Sequence, residues 1–186
     1  MSYLKFLLVK AKTYSFSTLL RLEVESLLFG FFSLIPTTAG VFLRALVAKI
    51  LFKKMSGFAW IQPRCIIVHS DRMVVGGNFG VNSGSYINGV GGIEIGNFVL
   101  IGSNVTISSG VHPIDGCEPP VFSRVCIPKK ITIEDDVWIG AGAVIMPGIR
   151  LAKGSVIGAN TVVTKDTEEY SVYVGTPARK IKSRLI

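Results

Sequence analysis

The sequence is poor in histidine and cysteine, and this shortage excludes several kinds of site. Its 186 residues include two histidines and three cysteines. Cys65, Cys117 and Cys126 have neither the spacing of a zinc site nor the even count of a disulfide framework. We therefore predict no metal site, and free thiols in a reducing compartment.

Acidic residues are also scarce. Twelve Asp and Glu stand against twenty Lys and Arg, which gives a net charge of +8. Most of the excess belongs to residues 1–54, where eight basic residues accompany two acidic ones. The basic residues are interspersed with Leu, Phe and Val and match no nucleic-acid-binding motif, so the sequence favours a membrane surface over nucleic acid as a partner.

The sequence lacks a clear membrane-spanning segment. Ser26 to Leu43 is free of charge over eighteen residues, but Pro36 and Gly40 interrupt it. The pattern predicts two shorter helices, from about Phe16 to Leu34 and from Thr38 to Lys53. A secretory signal is not predicted, because the initial run LKFLLV is short and no small-residue cleavage site follows it.

Basic residues flank the uncharged stretch on both sides. They are Lys5, Lys10, Lys12 and Arg21 before it, and Arg44, Lys49, Lys53 and Lys54 after it. Such flanks stay on the cytoplasmic side, so both ends are predicted to face the cytoplasm. A re-entrant hairpin or a pair of helices lying at the membrane interface would satisfy this. The alternative is that the helices pack on the rest of the protein, or on a neighbouring subunit, as a hydrophobic cap.

The remainder of the chain is dominated by a repeat of six residues. From Ile131 to Lys165 it has two apolar series: Ile133, Ile139, Ile145, Leu151, Ile157 and Val163, and two places earlier Ile131, Val137, Ala143, Ile149, Ser155 and Thr161. A period of six fits neither a helix nor a simple strand, but it is typical of a parallel β-helix. Gly142, Gly148, Gly154 and Asn160 share one phase and are predicted to form corners with positive φ.

The same period is present upstream. Its members are Val75, Val81, Ile87, Ile93, Val99, Val105 and Val111, joined later by Ile95, Ile101 and Ile107. The phase then shifts by two before Ile131, which predicts a segment that leaves the coil and returns. The chain thus divides into a basic, hydrophobic helical segment at residues 1–56 and a coil domain at 57–186, with a loop at 112–130 and a tail at 166–186.

The hexads, the segment SSGVHPID and the closing signature GTPAR resemble the hexapeptide-repeat acyltransferases, in the galactoside and maltose O-acetyltransferase-like branch. The resemblance implies a mainly β fold, a left-handed parallel β-helix, and a homotrimer with coenzyme A in grooves between subunits. It implies transfer of an acetyl group from acetyl-CoA to a hydroxyl of a sugar, in a glycan or lipid-linked glycan precursor. With the basic helical segment, it also predicts a location at the cytoplasmic face of the membrane. Carbonic anhydrases on a similar coil are excluded, because they need three zinc-binding histidines.

The predicted acceptor site centres on His112, which begins the loop. Transfer to a hydroxyl needs a base, and imidazole has a pKa near neutrality; the family's catalytic histidine occupies the same His-Pro context. Asp115 either orients the imidazole or caps a turn. The resemblance gives Asn88 a contact with the acceptor sugar, although Val90 stands where the family often has a second asparagine. His69 is predicted to be a structural or surface residue.

The predicted donor site follows from the resemblance as well. It consists of Trp138 beside the cofactor arm, small and polar coil residues, and two basic residues of the tail, which suit phosphates. Besides Trp138 these are Ala141, Ala159, Thr164, Lys165, Arg179 and Lys182. Three alternatives stay open: an N-acetyltransferase of an amino sugar, a serine-type O-acetyltransferase, and a non-catalytic β-helix scaffold.

Overall fold

The computed structural model describes residues 14–185, and in them the hexad positions form one continuous core. The side chains of both apolar series point inward and are buried, with the exception of Val111, which is half-buried. At the corners, Gly142, Gly148, Gly154 and Asn160 all have positive φ, as their shared phase predicts. The fold is therefore a parallel β-solenoid.

Three parallel sheets form the walls of the solenoid. The first contains β1 (Lys54–Met55), β4 (Met73–Val75), β7 (Ile93–Ile95), β12 (Ile131–Ile133) and β15 (Arg150–Leu151). The second contains β2 (Ala59–Ile61), β5 (Phe79–Val81), β8 (Leu100–Ile101), β13 (Trp138–Ile139), β16 (Val156–Ile157) and β18 (Ser171–Val174), and β19 (Arg179–Ser183) joins it antiparallel. The third contains β3 (Ile66–Val68), β6 (Tyr86–Asn88), β9 (Thr106–Ser108), β14 (Val144–Ile145) and β17 (Val162–Val163). A separate antiparallel pair, β10 (Gly110–Val111) and β11 (Ile127–Pro128), closes the base of the loop.

The turns of the solenoid have two lengths. After the loop, Ile133 pairs with Leu151, eighteen residues on, but before it Val75 pairs with Ile95, twenty residues on. The two additional residues lie at one corner, between the third and the first sheet. The phase shift of two before Ile131 is confirmed, and the same corner holds two further shifts of two residues that the repeat analysis missed, at residues 69–72 and 89–92.

Two helices cover the N-terminal end of the solenoid. Helix α1 (Phe16–Ser33) packs on β3, and α2 (Thr38–Leu51) packs on β2, with Phe29, Ala48 and Leu51 joining the core. Both helices lie within a few residues of their predicted bounds. Within residues 14–185, neither helix is long and apolar enough to cross a membrane.

A buried arginine ties the helices to the coil. Arg44 is 1% exposed and donates hydrogen bonds to the carbonyls of Ile61 (2.8 Å), Phe32 (2.7 Å) and Ile35 (2.9 Å). Its role as a basic flank for a membrane is therefore wrong, because its charge is used to satisfy carbonyls beneath the helices. The packing of the helices on the coil, which the sequence left open as the alternative to a membrane position, is observed. Lys5, Lys10 and Lys12, and the segment considered as a signal, lie outside the described residues.

A buried carboxylate makes a second tie between α1 and the coil. Glu25 accepts a hydrogen bond from the Ser70 backbone N–H at 2.9 Å. Burial raises the pKa of Glu25. The helical segment is thus joined to the solenoid by specific polar contacts as well as by apolar packing.

Candidate active site

A cavity of about 600 Å³ lies at the corner where the turns are longer than eighteen residues. Three successive turns contribute to it: His69 and Arg72 from the first, Asn88 and Val90 from the second, and His112 from the loop that replaces the third corner. Because β3, β6 and β9 are in register, with Val68, Asn88 and Ser108 aligned, these corners stack directly over one another. The structure thus brings together His112 and Asn88, which the sequence analysis assigned to one site.

His112 is held by the backbone of its own loop. It directly follows β10, and its Nδ1 lies 3.2 Å from the carbonyl oxygen of Arg124. A carbonyl can only accept, so the hydrogen in this contact is on Nδ1, and in the neutral imidazole Nε2 is then the nitrogen that can accept a proton. An imidazole held in this way can take a proton at Nε2 from a bound hydroxyl.

Arg124 organises the loop and was not identified from the sequence. Its guanidinium donates to the carbonyls of Pro119 (2.7 Å), Pro113 (2.9 Å), Asp115 (2.9 Å) and Gly116 (2.7 Å). One side chain thereby satisfies four carbonyls of an otherwise exposed segment, and its own carbonyl receives His112. The fixed fork of arginine suits this arrangement, which a lysine could not reproduce.

Asp115 lies in the exposed part of the loop. Its backbone carbonyl accepts from Arg124, and among the described residues its carboxylate has no hydrogen bond to His112. The cavity lining does not include it. The contact that orients the imidazole in this structure is the Arg124 carbonyl.

Asn88 ends β6 at the cavity wall. Its Oδ1 accepts from the Val90 N–H at 3.1 Å, which orients the amide with its NH₂ group available as a donor. Such a donor suits a hydroxyl-bearing acceptor.

His69 lies in the cavity, where the sequence analysis placed only a structural or surface residue. It is 8% exposed, has a left-handed backbone (φ 58°), and its Nδ1 is buried without a hydrogen-bond partner among the described residues. Burial, and then the charge of Arg72, lower the pKa of His69, which favours the neutral form of the ring. Tyr14 lies beside it, with ring centroids 6.1 Å apart. The signal that could have identified His69 is its position in a corner two residues longer than the hexad allows.

Trp138 lies away from this cavity. It projects outward from β13 in the second sheet, 52% exposed, and is not in the cavity lining. Val156, Val172 and Lys182 continue its row across the sheet. At about 4.8 Å per strand, Lys182 is about 14 Å from Trp138 along the same face.

The remaining predicted donor residues lie at two corners. Ala141 and Ala159 are exposed on successive turns between the second and third sheets, where the Asn160 N–H donates to the Ala141 carbonyl at 2.8 Å. The GTPAR segment folds against this corner, and Thr176 donates to the Asn160 carbonyl at 3.3 Å. Arg179 is exposed on β19 just beyond it. Small exposed residues at this corner would let an extended cofactor arm approach the backbone.

Thr164 and Lys165 occupy the other edge of the third sheet. They follow β17 and share the corner column of the His112 cavity, two turns farther along the solenoid. Both are exposed. A single chain therefore holds its predicted acceptor residues at one corner, and five of its seven predicted donor residues on the second sheet or at the corner that follows it.

Both the hexad repeat and the fold have counterparts among known proteins. Residues 130–165 match the bacterial transferase hexapeptide family (six repeats). A galactoside O-acetyltransferase of Lactococcus lactis is 45% identical over 86 residues, which are 46% of this chain and 40% of that protein. The galactoside O-acetyltransferase of Escherichia coli is 34% identical over 75% of this chain and 68% of its own length.

Solved structures agree over a larger part of the chain. A galactoside acetyltransferase in complex with coenzyme A has a TM-score of 0.82 at 30% identity, covering 91% of this chain and 83% of that one. A hexapeptide-repeat acetyltransferase of Vibrio cholerae in complex with acetyl-coenzyme A has a TM-score of 0.81 at 27% identity, covering 91% and 90%. The chain therefore belongs to the hexapeptide-repeat acetyltransferase family, in the branch of the galactoside O-acetyltransferases.

Proposed function

We propose that the protein transfers an acetyl group from acetyl-CoA to a hydroxyl of a sugar, in a glycan or a lipid-linked glycan precursor. The observation that carries this proposal is the cavity in which His112, held at Nδ1 by a carbonyl, faces the same space as Asn88. Family membership and the coenzyme A complexes of its structural neighbours support the choice of donor.

His112 acts as the general base in this proposal. Its Nε2 takes the proton of the acceptor hydroxyl while that oxygen attacks the thioester carbonyl carbon. When the carbon–sulfur bond breaks, the imidazolium returns the proton to the departing thiolate, so the side chain ends the cycle neutral. The Arg124 carbonyl stabilises the imidazolium by accepting its Nδ1–H, and Asn88 positions the acceptor by donating from its amide.

The test is an acetyl transfer assay that records release of the coenzyme A thiol with a panel of sugar acceptors. His112→Ala should lower kcat by about 10²–10⁴-fold, the usual contribution of a positioned base. Glu169→Gln, a change at an exposed tail residue distant in sequence from the loop, is the matched control and should retain full activity. Full turnover by His112→Ala would refute the base assignment.

The choice of acceptor separates the alternatives in the same assay. If an amino-sugar amine or serine is acetylated preferentially, that compound, and not a sugar hydroxyl, is the acceptor. No binding of coenzyme A and no transfer to any acceptor would leave the β-solenoid as a scaffold.

We further propose that the active enzyme is a homotrimer, with each site shared between neighbouring subunits. Separation of the cavity from Trp138 and Ala159 within one chain supports this, because a second copy can supply the donor residues. Mixing His112→Ala with the Arg179→Ala, Lys182→Ala double variant tests it by complementation, assayed at acetyl-CoA well below the KM of the unmodified protein, where the double variant alone is weakly active. Activity recovered in mixed oligomers supports shared sites; no recovery, in mixtures shown by mass to contain both chains, refutes them.

The location proposed for this enzyme is the cytoplasmic face of a membrane. The basic charge of the first 54 residues and the exposed apolar surface of the two helices support it. Fractionation of cells into soluble and membrane pools tests the location directly.

A further inference from the structure

Helix α1 is apolar on two opposite faces. Phe29 is buried on the inner face, where Leu28 and Phe32 also pack on the solenoid. The outer face carries a second stripe with the three- and four-residue spacing of a helix, and all of its members are exposed: Phe16, Leu20, Val24, Leu27, Phe31 and Leu34. An apolar stripe on a helix normally packs against another surface, so the exposed outer stripe of α1 is expected to be covered.

Helix α2 also exposes a row of apolar side chains. Phe42, Leu46 and Ile50 follow one another at four-residue intervals and are exposed, whereas Ala48 and Leu51 face the solenoid. Contiguous apolar patches of this kind on soluble proteins mark sites of interaction with a protein or a membrane.

The exposed charges on and next to the two helices are mostly positive. Lys49 lies between Leu46 and Ile50 in α2, and Arg64 donates its backbone N–H to Ser33 at the end of α1, at 2.7 Å. Lys53 and Lys54 follow α2 and are exposed. Within residues 14–185 none of these four cations lies in an ion pair, and the exposed acid on the two helices is Glu23.

This combination fits an anionic lipid surface better than a second copy of the chain. A two-fold contact through this surface would place the same cations of two copies near one another, which repels; a contact within the proposed trimer is tested separately, by oligomeric mass. Helices with an exposed apolar face and basic neighbours are suited to lie in the interface of an anionic bilayer.

The start of α1 connects this surface to the active-site cavity. Tyr14 lines the cavity beside His69, and Phe16, two residues later, begins the outer stripe. We propose that the outer faces of α1 and α2 dock on an anionic phospholipid bilayer and hold the mouth of the cavity at its surface, where it meets a sugar carried on a lipid. Docking does not depend on the proposed function. The identity of the acceptor as a lipid-linked sugar does rest on the proposed function.

The docking test uses the full chain and co-sedimentation with vesicles made of equal parts phosphatidylglycerol and phosphatidylcholine, or of phosphatidylcholine alone. We expect binding to the anionic vesicles, a loss of about tenfold or more in partitioning for Leu27→Gln, Phe31→Gln, and a smaller loss for Lys49→Gln, Arg64→Gln. Ile181→Gln, Leu185→Gln, which removes two exposed apolar side chains of the tail, and Lys153→Gln are the matched controls and should bind as the unmodified protein does. Folding of each variant is checked by its thermal transition.

Equal vesicle binding by the unmodified protein and Leu27→Gln, Phe31→Gln overturns the proposal, as does absence of binding. A variant whose effect is a smaller oligomeric mass also overturns it, since the stripe would then belong to a second copy.

An acceptor assay separates docking from the proposed function. Leu27→Gln, Phe31→Gln should acetylate a soluble glycoside normally and a vesicle-embedded glycolipid about tenfold more slowly. Equal rates on both acceptors would refute the lipid-linked acceptor. Absence of turnover on every sugar, with vesicle binding intact, would refute the proposed function and leave docking supported.

Discussion

Replacement of Arg124 by lysine gives a direct test of how the loop orients His112, the proposed general base. The substitution keeps the positive charge but removes the planar fork that donates to four carbonyls at 2.7–2.9 Å. Arg124 is half-buried, so each bond is assigned only the low end of the usual contribution, about 0.5 kcal/mol. Four such bonds amount to about 2 kcal/mol.

The expected consequence is a loss of catalytic efficiency without loss of the fold. About 2 kcal/mol corresponds to roughly a 30-fold decrease in kcat/KM if the loop must be ordered for His112 to act. The midpoint of thermal unfolding should change little, because the loop lies outside the solenoid core. Steady-state kinetics with acetyl-CoA and the best sugar acceptor, and limited proteolysis of residues 112–130, measure the two effects. Unchanged kcat/KM, together with more rapid cleavage of the loop, would refute the link between loop order and catalysis.

Three further perturbations test the donor site and two buried groups. Arg179→Ala, Lys182→Ala should raise the KM for acetyl-CoA by about tenfold, from about 0.7 kcal/mol for each exposed ion pair with phosphate, and weaker calorimetric binding of coenzyme A should accompany it. Burial lowers the pKa of His69, so on acidification the unfolded chain takes up a proton at this residue before the folded chain does. A change from pH 7 to 5 should therefore lower the melting temperature of the unmodified protein more than that of His69→Gln. Parallel plots of melting temperature against pH for the two proteins would contradict this. Burial raises the pKa of Cys65 to about 11, so mass spectrometry after iodoacetamide treatment should show modification at exposed Cys117 and none at Cys65 until the protein is unfolded.

The solenoid was predictable because its period is set by large apolar side chains, which are stable only when buried. Ile133 and Ile139 both point inward and are buried. A period of six fits neither an α-helix nor a simple alternating strand. The helices were predictable for a related reason, since Pro36 cannot continue a helix and the chain resumes one at Thr38. These features depend on local sequence and one shared core.

The site was predictable only in part, because its contacts depend on corners and loops. His112 and Asn88 lie in one cavity as expected. His69 lies there too but was not predicted to, since the two-residue shift at its corner is hidden within an apparently regular series. Arg124 could not be assigned because a loop arginine in sequence gives no indication of which carbonyls it will reach. Arg44 was misinterpreted for the same reason: its burial depends on three carbonyls that only the folded chain brings together.

The longer corners leave the ladder of hydrogen bonds unchanged. Ile67 and Ile87, like Ile145 and Val163, remain paired through the core whether the corner that follows holds the usual number of residues or two more. Residues can therefore be added or exchanged at this edge without disturbing the register of the walls. In an evolving lineage, the cavity at this corner, which is the proposed acceptor pocket, can diversify by changes in corner length while the three walls keep their register.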